Sequence, residues 1–368
     1  MRTKILAWCS TVGAVGVGMA WLALLGAAAA HVPPEFLLKW GTPGEGPGEF
    51  AAPEGIALGP EGRVYVADTN NHRVQVFTAE GEFLFEWGSF CDLETGEGCE
   101  TEDGAGQFNA PEAVLYSPLA GIIYVADSSN HRVQAFSPEG EFLFMWGSPG
   151  SEPGRFVVPV GMAADAEGNV YVADVVNHRV QVFDLRGRFL RAWGEKGSEA
   201  GQFRFPSGVA VFGERVYVAD NLNHRVQVFD LEGNYIMEWG TLCDLRTGEG
   251  CADPDGPGPL EPGDGQLRKP FGIAVDAEGR VFVLDQGNSR VQVFTGEGEF
   301  LAKWGSLCAL YGEASNELPP GEGCVDPDGD GPLAVGDGQF LFPKGIAIAP
   351  DGAVYVADSD NHRVQVFR

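Results

Sequence analysis

The sequence predicts an all-β protein, a six-bladed β-propeller of four-stranded antiparallel blades that is closed by an N-terminal strand completing the last blade. Three observations predict this fold. One motif returns six times along the 368 residues, each copy holds four short apolar runs separated by glycine-bearing turns, and a Trp-Gly pair closes each copy. The 53 glycines and 24 prolines also exclude a long helical bundle, because helix interiors tolerate neither residue well.

The repeated motif joins two short strands through a polar turn. In the first copy residues 64–68 read VYVAD and residues 71–77 read NHRVQVF. The motif asparagines of the six copies are Asn71, Asn130, Asn177, Asn223, Asn288 and Asn361. The base period is about 46 residues, which is typical of propeller blades. Three of the connections between copies are longer.

Each copy holds four strand-like segments. In the third copy they are Gly161–Ala164, Val170–Ala173, Arg179–Phe183 and Phe189–Trp193. Short runs rich in Val, Phe and Tyr between Gly-bearing turns are typical of antiparallel hairpins. The chain shows a lone fourth-strand pattern at residues 36–40 and ends on a third strand at residues 363–367. We therefore expect residues 36–40 to complete the sixth blade and close the ring.

The two segments VYVAD and NHRVQVF resemble the NHL repeat family over nearly all of residues 36–368. The resemblance implies a six-bladed propeller. It does not imply one function, since the family includes RNA-binding tripartite-motif proteins, bacterial sensor domains and a peptide-amidating lyase. The function must therefore be argued from the site itself.

Residues 1–30 form a segment of their own ahead of the propeller at residues 31–368. Arg2 and Lys4 precede an uncharged stretch that ends in alanines, which predicts a signal peptide. The stretch is long enough that an uncleaved membrane anchor is the alternative. Either interpretation predicts a secreted or cell-envelope protein that faces outward. Membrane contact is expected only through residues 5–30, if they are not cleaved.

The formal net charge of −28 limits the partners. Nucleic-acid affinity depends mainly on Lys and Arg neutralising phosphates, so a nucleic-acid partner is not expected. The acidic balance favours cations or basic partners.

The motif residues are predicted to be structural. Asp68, Asn71, His72 and Arg73 represent the first copy, and Asp220 and Arg225 the fourth. Equivalent histidines on neighbouring blades should lie too far apart to share a zinc ion, which needs each nitrogen at about 2 Å. We expect the His, Asn and Arg of each copy to tie the turn after the second strand to its Asp.

The residue after each first-strand proline is the candidate site at the mouth of the central channel. These residues differ between copies and are Glu54, Glu112, Val160, Ser207, Phe271 and Lys344. The amidating lyases, which this chain resembles in fold, carry zinc-binding histidines at that place in a Pro-His-Gly pattern. This chain has no His there, so the lyase activity is not transferred. Glu54 and Glu112 are expected either to bind a hard cation or to be solvated channel walls.

Three insertions, residues 88–108, 240–267 and 305–340, follow the fourth strands of blades one, four and five. They are expected on the face that also carries the turns between second and third strands, named here the decorated face. Each insertion contains two cysteines, and we expect the local pairs Cys91–Cys99, Cys243–Cys251 and Cys308–Cys324. Cys9 lies in the N-terminal segment. Free thiols in a cytosolic protein are the alternative.

The third insertion contains a possible calcium loop. Asp326, Asp328, Asp330 and Asp337 match positions 1, 3, 5 and 12 of a twelve-residue calcium loop. Position 12 is Asp rather than Glu, and no helices are expected to flank the loop. The second insertion has Asp253, Asp255 and Asp264 in the same register but a proline at position 5. A solvated acidic turn is the alternative for both, so calcium is the cofactor that these loops suggest and no cofactor is certain.

The sequence as a whole favours a binding scaffold. The decorated face would present disulfide-closed acidic loops to a protein, peptide or glycan. The alternative is a propeller enzyme, either a lyase or a lactone or ester hydrolase, with a cation at the central channel. A purely structural surface protein is a third interpretation. No catalytic residue is predicted.

Overall fold

The computed structural model describes residues 34–243, 249–250, 263–307 and 337–368. Contacts separate the chain into the units Met1–Val32 and Pro33–Arg368, and the description below concerns the second. The expected signal peptide or anchor, residues 1–30, lies outside the described residues. In the ranges that the structure describes, no helix is long and apolar enough to cross a membrane.

Six four-stranded antiparallel sheets form the fold, and in each sheet the first strand lies beside the channel and the fourth lies outermost. The first strands are Pro53–Leu58, Pro111–Ser117, Pro159–Ala164, Pro206–Phe212, Pro270–Val275 and Gly345–Ile348. The second strands are Val64–Asp68, Ile122–Asp127, Val170–Asp174, Arg215–Asp220, Val281–Asp285 and Val354–Asp358. The third strands are Arg73–Phe77, Arg132–Phe136, Arg179–Phe183, Arg225–Asp230, Arg290–Phe294 and Arg363–Phe367. The fourth strands are Phe83–Trp87, Phe142–Trp146, Phe189–Trp193, Tyr235–Trp239, Phe300–Trp304 and Phe36–Trp40.

The connections between the long strands contain short strands and 3₁₀ helices. Two-residue parallel strands pair at the bases of two connections, Thr42–Pro43 with Glu49–Phe50 and Ser306–Leu307 with Gln339–Phe340. One-turn 3₁₀ helices are Pro60–Gly62 and, after five of the second strands, Thr69–Asn71, Ser128–Asn130, Asn221–Asn223, Gln286–Asn288 and Ser359–Asn361.

The ring closes as the sequence predicts. Phe36–Trp40 pairs antiparallel with Arg363–Phe367, with Trp40 opposite Val364. The first strands of blades six and one also meet closely, since a Cβ at Gly345 would lie 2.0 Å from the Glu54 carbonyl oxygen. Position 345 therefore requires glycine. Closure of the ring also covers sheet edges that would otherwise pair with other chains.

The hydrophobic core is divided into six clusters, one at each junction between blades. A blade buries both sheet faces only through its neighbours, because no single sheet shields its own apolar side chains. The Trp that ends each fourth strand packs on the next blade. Trp87, for example, lies 5.6 Å from Phe136 between ring centroids and beneath the turn at Gly140. Each of the six tryptophans thus fills part of the junction between its own blade and the next.

Candidate functional site

The motif side chains of each blade converge on its buried Asp. In blade one, Asp68 accepts hydrogen bonds from Arg73 Nε at 2.8 Å, Asn71 Nδ2 at 2.9 Å and Gln75 Nε2 at 3.0 Å. The same Arg–Asp pair forms in the other blades, as Arg132–Asp127, Arg179–Asp174, Arg225–Asp220, Arg290–Asp285 and Arg363–Asp358. In blade one the motif Asn and Arg therefore tie the turn after the second strand to its Asp.

The motif Arg also holds the connection that precedes its own blade on the decorated face. Arg225 donates through its terminal nitrogens to the carbonyl oxygens of Ser198, Glu199 and Gln202, each at 2.9 Å. Arg73 contacts the connection of blade one in the same way. The repeated motif therefore fixes the bases of the connections that carry the insertions.

The motif His does not bind the Asp of its own blade, contrary to the expectation from sequence. Its Nδ1 instead accepts a hydrogen bond from the next blade, from the backbone N–H of the residue before the first-strand proline. His72 bonds Ala110 N at 3.1 Å, and His362 bonds Ala52 N at 3.1 Å across the closure. The cause is the left-handed conformation of the His, φ +54° at His72, which turns the ring away from its own Asp. Each of these histidines thus joins two blades.

The six residues after the first-strand prolines come together at one end of the channel. They surround a cavity of about 80 Å³ together with a second ring of Ile56, Val114, Met162, Val209, Ile273 and Ile346. The mouth opens on the decorated face, since Thr69 Oγ1, in a turn between second and third strands, donates to the Pro111 carbonyl oxygen at 2.8 Å. The cavity has room for several waters or a small ion and is too small to enclose a drug-sized ligand.

One half of the mouth is charged. The Lys344 ammonium donates to Glu54 Oε1 and lies 5.7 Å from the centroid of the Phe271 ring. Glu54 is 6% exposed, and its Oε2 has no hydrogen-bond partner among the described residues. The other half is formed by Val160, Ser207 and the Phe271 ring. The Ser207 hydroxyl donates to the Pro270 and Phe271 carbonyl oxygens at 3.1 Å, so it braces the next blade.

Burial changes the protonation of the acidic groups at the mouth. Desolvation and, next, the neighbouring Glu54 charge together raise the pKa of Glu112 to about 8, although Lys344 opposes the change. Desolvation also raises the pKa of Glu54, against the effect of Lys344. The pKa of Lys344 is lowered by burial but raised overall by the charge and hydrogen bond of Glu54. At neutral pH Glu112 is therefore mostly protonated, and it lies beside the contact between Lys344 and Glu54.

Further residues of this face were missed in the sequence. The pKa of Asp360, in the turn of blade six, is raised to about 6, because desolvation outweighs the opposing charge of Lys344. The residues before the first-strand prolines also face the rim of the mouth, in a left-handed conformation with φ between +45° and +61°. They are Ala52, Ala110, Val158, Phe205, Lys269 and Phe342. An alignment of the six copies against one another would have shown that the residue before the proline also differs between blades.

The first insertion lies on the decorated face and is pinned there. Cys91 and Cys99 form the expected disulfide. Asn130, in the turn of blade two, donates to the Cys91 carbonyl oxygen at 2.8 Å and accepts from Leu93 N at 3.0 Å. The disulfide and the motif Asn together hold this acidic loop against the turn of blade two.

The other two insertions are described only at their bases. Cys243 forms a disulfide, and its expected partner Cys251 lies outside the described residues, as do Cys308 and Cys324. Asp326, Asp328 and Asp330 also lie outside them. Asp337 is described and forms an ion pair with Lys39 at 2.9 Å, and Asp264 forms the equivalent pair with Lys303 at 3.1 Å. Among the described residues, no group of three His, Cys, Asp or Glu side chains is placed to hold a metal ion.

The family profile of the NHL repeat matches five segments of the chain: residues 50–77, 156–183, 203–229, 267–294 and 340–367. Blade two carries the same Asp–Arg network although its copy is not among the matched segments. The Drosophila melanogaster protein brain tumor is 33% identical over 111 residues, 30% of this chain and 10% of that protein. Mouse NHL repeat-containing protein 3 is 34% identical over 102 residues, 27% of this chain and 25% of that protein.

The chain thus spans about a quarter or less of the length of these curated relatives. Among solved structures, a virginiamycin B lyase from Staphylococcus aureus superposes with a TM-score of 0.51 at 12% identity, covering 86% of this chain and 94% of that one. At this identity the likeness concerns the fold alone.

Proposed function

Because the chain belongs to the NHL-repeat β-propeller family, we propose that it is an exported binding scaffold whose decorated face recognises a protein, peptide or glycan. One observation carries this proposal. The repeated Asp, Asn and Arg fix the connections of the decorated face in every blade, while the residues at the channel mouth and on its rim differ from blade to blade. A rigid frame that presents varied side chains and loops is a common arrangement for recognition.

Outward location is part of this proposal. The Cys91–Cys99 disulfide supports it, because disulfides persist mainly in oxidising compartments. Expression of the full chain with a signal-peptidase assay tests it: we expect the exported protein to begin near residue 31. Retention in the cytosol with reduced Cys91 and Cys99 contradicts it.

Selection from unbiased peptide and glycan panels tests the scaffold function. Residues 91–105 of the first insertion are replaced by residues 150–153, the equivalent part of the short connection between blades two and three. Both connections are closed by one parallel bridge, Phe90 with Phe108 and Pro149 with Phe156, so the exchange keeps the base intact. We expect ligands selected on the wild type to bind this variant about tenfold more weakly or worse. A substitution on the opposite face, Arg186→Glu, is the control. If no ligand distinguishes wild type from the exchange variant, the decorated face is not the binding surface.

A cation at the channel, with a propeller enzyme around it, is the second candidate function. The unpartnered Glu54 Oε2 beside Glu112 favours it. The residues fit a divalent ion poorly, however, because the Lys344 ammonium already contacts Glu54 and Glu112 is mostly neutral. Titration of wild type and Lys344→Gln with zinc and calcium separates the two cases. Metal binding by the wild type with about micromolar affinity supports the enzyme. Metal binding only after Lys344→Gln shows instead that the Lys344 ammonium occupies the place that a metal ion would take.

We also propose that the third insertion binds calcium, which would hold its loop in one conformation. The ligands would be Asp326, Asp328, Asp330 and Asp337. The ion pair between Asp337 and Lys39 would have to open for Asp337 to bind the ion. Calorimetric titration with calcium tests this, with Asp328→Asn expected to lower the affinity. An absence of heat at millimolar calcium contradicts it.

A further inference from the structure

The rim of the mouth carries an excess of positive charge on one side of a protein whose net charge is −28. Of the residue pairs that precede the first-strand prolines, only those of blades four and five contain a cation, Arg204 with Phe205 and Arg268 with Lys269. The other four pairs, at residues 51–52, 109–110, 157–158 and 341–342, carry no charge. The positive sector is therefore local and follows from residues outside the repeated motif.

Contacts bring these cations together across blades three to five. Phe205 N donates to His178 Nδ1 at 3.2 Å, and Lys269 N donates to His224 Nδ1 at 3.1 Å. The pKa of His178 is lowered by burial and then by Lys196 and Arg204, against the effect of Asp220 and Asp174. The pKa of His224 is lowered by burial and then by Lys269, Arg268 and Arg204, against the effect of Glu249. Arg204 lies between the two histidines, because it precedes Phe205, which bonds His178, and its carbonyl oxygen accepts from Leu222 N at 3.0 Å in the turn that leads to His224.

Three of these cations are exposed and carry no side-chain contact among the described residues, whereas Arg268 donates to the Gly287 carbonyl oxygen. Lys196, Arg204 and Lys269 are exposed, and within the described ranges their side chains form no hydrogen bond or ion pair. This is unlike the motif arginines, which are buried on their aspartates. An exposed cation that the fold leaves unpaired is available to an acidic partner, and charge complementarity of this kind steers association and selects the partner.

Apolar side chains lie among these cations. Phe205 is 37% exposed and packs edge-on against the His178 ring at 4.9 Å between centroids. Val176, in the turn that leads to His178, is 42% exposed. A large aromatic held at positive φ and partly in solvent is a fixed contact for an apolar side chain of a partner.

We propose that this rim sector, formed by Val176, Lys196, Arg204, Phe205 and Lys269, binds an acidic peptide segment that contains an aromatic or aliphatic side chain. The peptide's carboxylates pair with the three cations, and its apolar side chain packs on Phe205 and Val176. This rests on the proposed scaffold function and names the chemistry of its partner. The phosphates of a nucleic acid could pair with the same cations. The net negative charge of the protein would, however, repel a chain that carries one charge on every nucleotide.

Fluorescence anisotropy with labelled peptides of about twelve residues tests the proposal. The probes are a Glu- and Asp-rich peptide with one Phe, the same peptide with Ser for Phe, the Lys-rich counterpart and a single-stranded RNA. We expect the acidic Phe peptide to bind the wild type most tightly and to bind Lys196→Glu/Arg204→Glu at least about tenfold more weakly. Arg186→Glu/Arg188→Glu, which makes the same charge change on the opposite face, should alter the affinity less than about twofold.

Thermal melting first establishes that both double variants fold. Should Lys196→Glu/Arg204→Glu not fold, Lys269→Gln and the salt dependence of wild-type binding decide, with weaker binding expected in each case. The proposal is overturned if the acidic peptide fails to bind, binds the rim variant as tightly as the wild type, or binds less tightly than the RNA. If the unbiased panels yield ligands that depend on the decorated face but are not acidic, the scaffold function stands and only this inference fails.

Discussion

Two sets of positions in each blade behave in opposite ways. The buried Asp–Arg pair is nearly identical in all six blades, with Nε to Oδ2 distances between 2.6 Å and 2.8 Å. The position after the first-strand proline instead holds two Glu, a Val, a Ser, a Phe and a Lys. A ring of identical side chains cannot recognise an asymmetric partner, whereas a ring of different ones can. The comparison therefore separates residues that maintain the propeller from those available for binding.

Removal of the closing strand is the strongest test of the repeated part. Deletion of residues 34–40 leaves Arg363–Phe367 as an unpaired edge and removes Leu38 and Trp40 from the junction between blades six and one. We expect the single cooperative calorimetric transition to be lost or to move to a much lower temperature. Protein that begins at residue 31 is the control. An unchanged transition shows that closure does not stabilise the ring.

Arg225→Ala tests a single motif pair. It leaves Asp220 fully buried without its cation, so we expect the free energy of unfolding to fall by about 3–5 kcal/mol in urea titration. Arg188→Ala is the matched control, because Arg188 pairs with Asp184 at an exposed site, and its cost should stay below about 1 kcal/mol. Equal effects of the two substitutions would remove the distinction between motif and surface pairs.

The blades, their closure and the Asp–Arg pairs could be predicted from the sequence because repetition marks them. Each is a local pattern seen six times, so chance matches are improbable. The bond from His72 to Ala110 could not, since it depends on two left-handed residues that lie far apart in the chain. Nor could the Lys344–Glu54 pair, which forms only because closure brings blade six beside blade one. Varied positions such as Arg204 carry no pattern of their own and are visible only after the repeats are superposed.

Glu112→Gln tests one of the positions that differ between blades, through the protonation of its carboxyl group. The folded pKa of about 8 lies above the ordinary value of 4.5, so the stability contributed by protonated Glu112 is fully present below pH 4.5 and is lost as the pH rises toward 8. Gln stays neutral throughout. At pH 8 the variant should therefore be the more stable protein, by more than about 1.4 kcal/mol, the equivalent of one pKa unit.

Urea titrations of wild type and Glu112→Gln at pH 5 and pH 8 measure this effect. Glu141→Gln, at an exposed turn, is the control and should show no such change between the two values. A variant that is less stable than the wild type at pH 8 indicates that the Glu112 carboxylate is ionised and bound by a cation, which supports the enzyme alternative.

The smallest expected effect concerns the hydrogen bonds between neighbouring blades. Five of the six junctions carry a motif His, and the sixth carries Ser289. His224→Asn removes the Nδ1 acceptor of Lys269 N but keeps a residue that tolerates the left-handed backbone, so it should cost about 1 kcal/mol at pH 8. Burial and then Lys269 hold the pKa of His224 below 6.5 in the folded protein. The unfolded chain therefore takes up the proton first, and the advantage of the wild type should shrink as the pH falls below 6.5. Ser289→Asn, where no imidazole is lost, should show a cost that does not change with pH. If both variants respond to pH alike, the histidines are not what joins the blades.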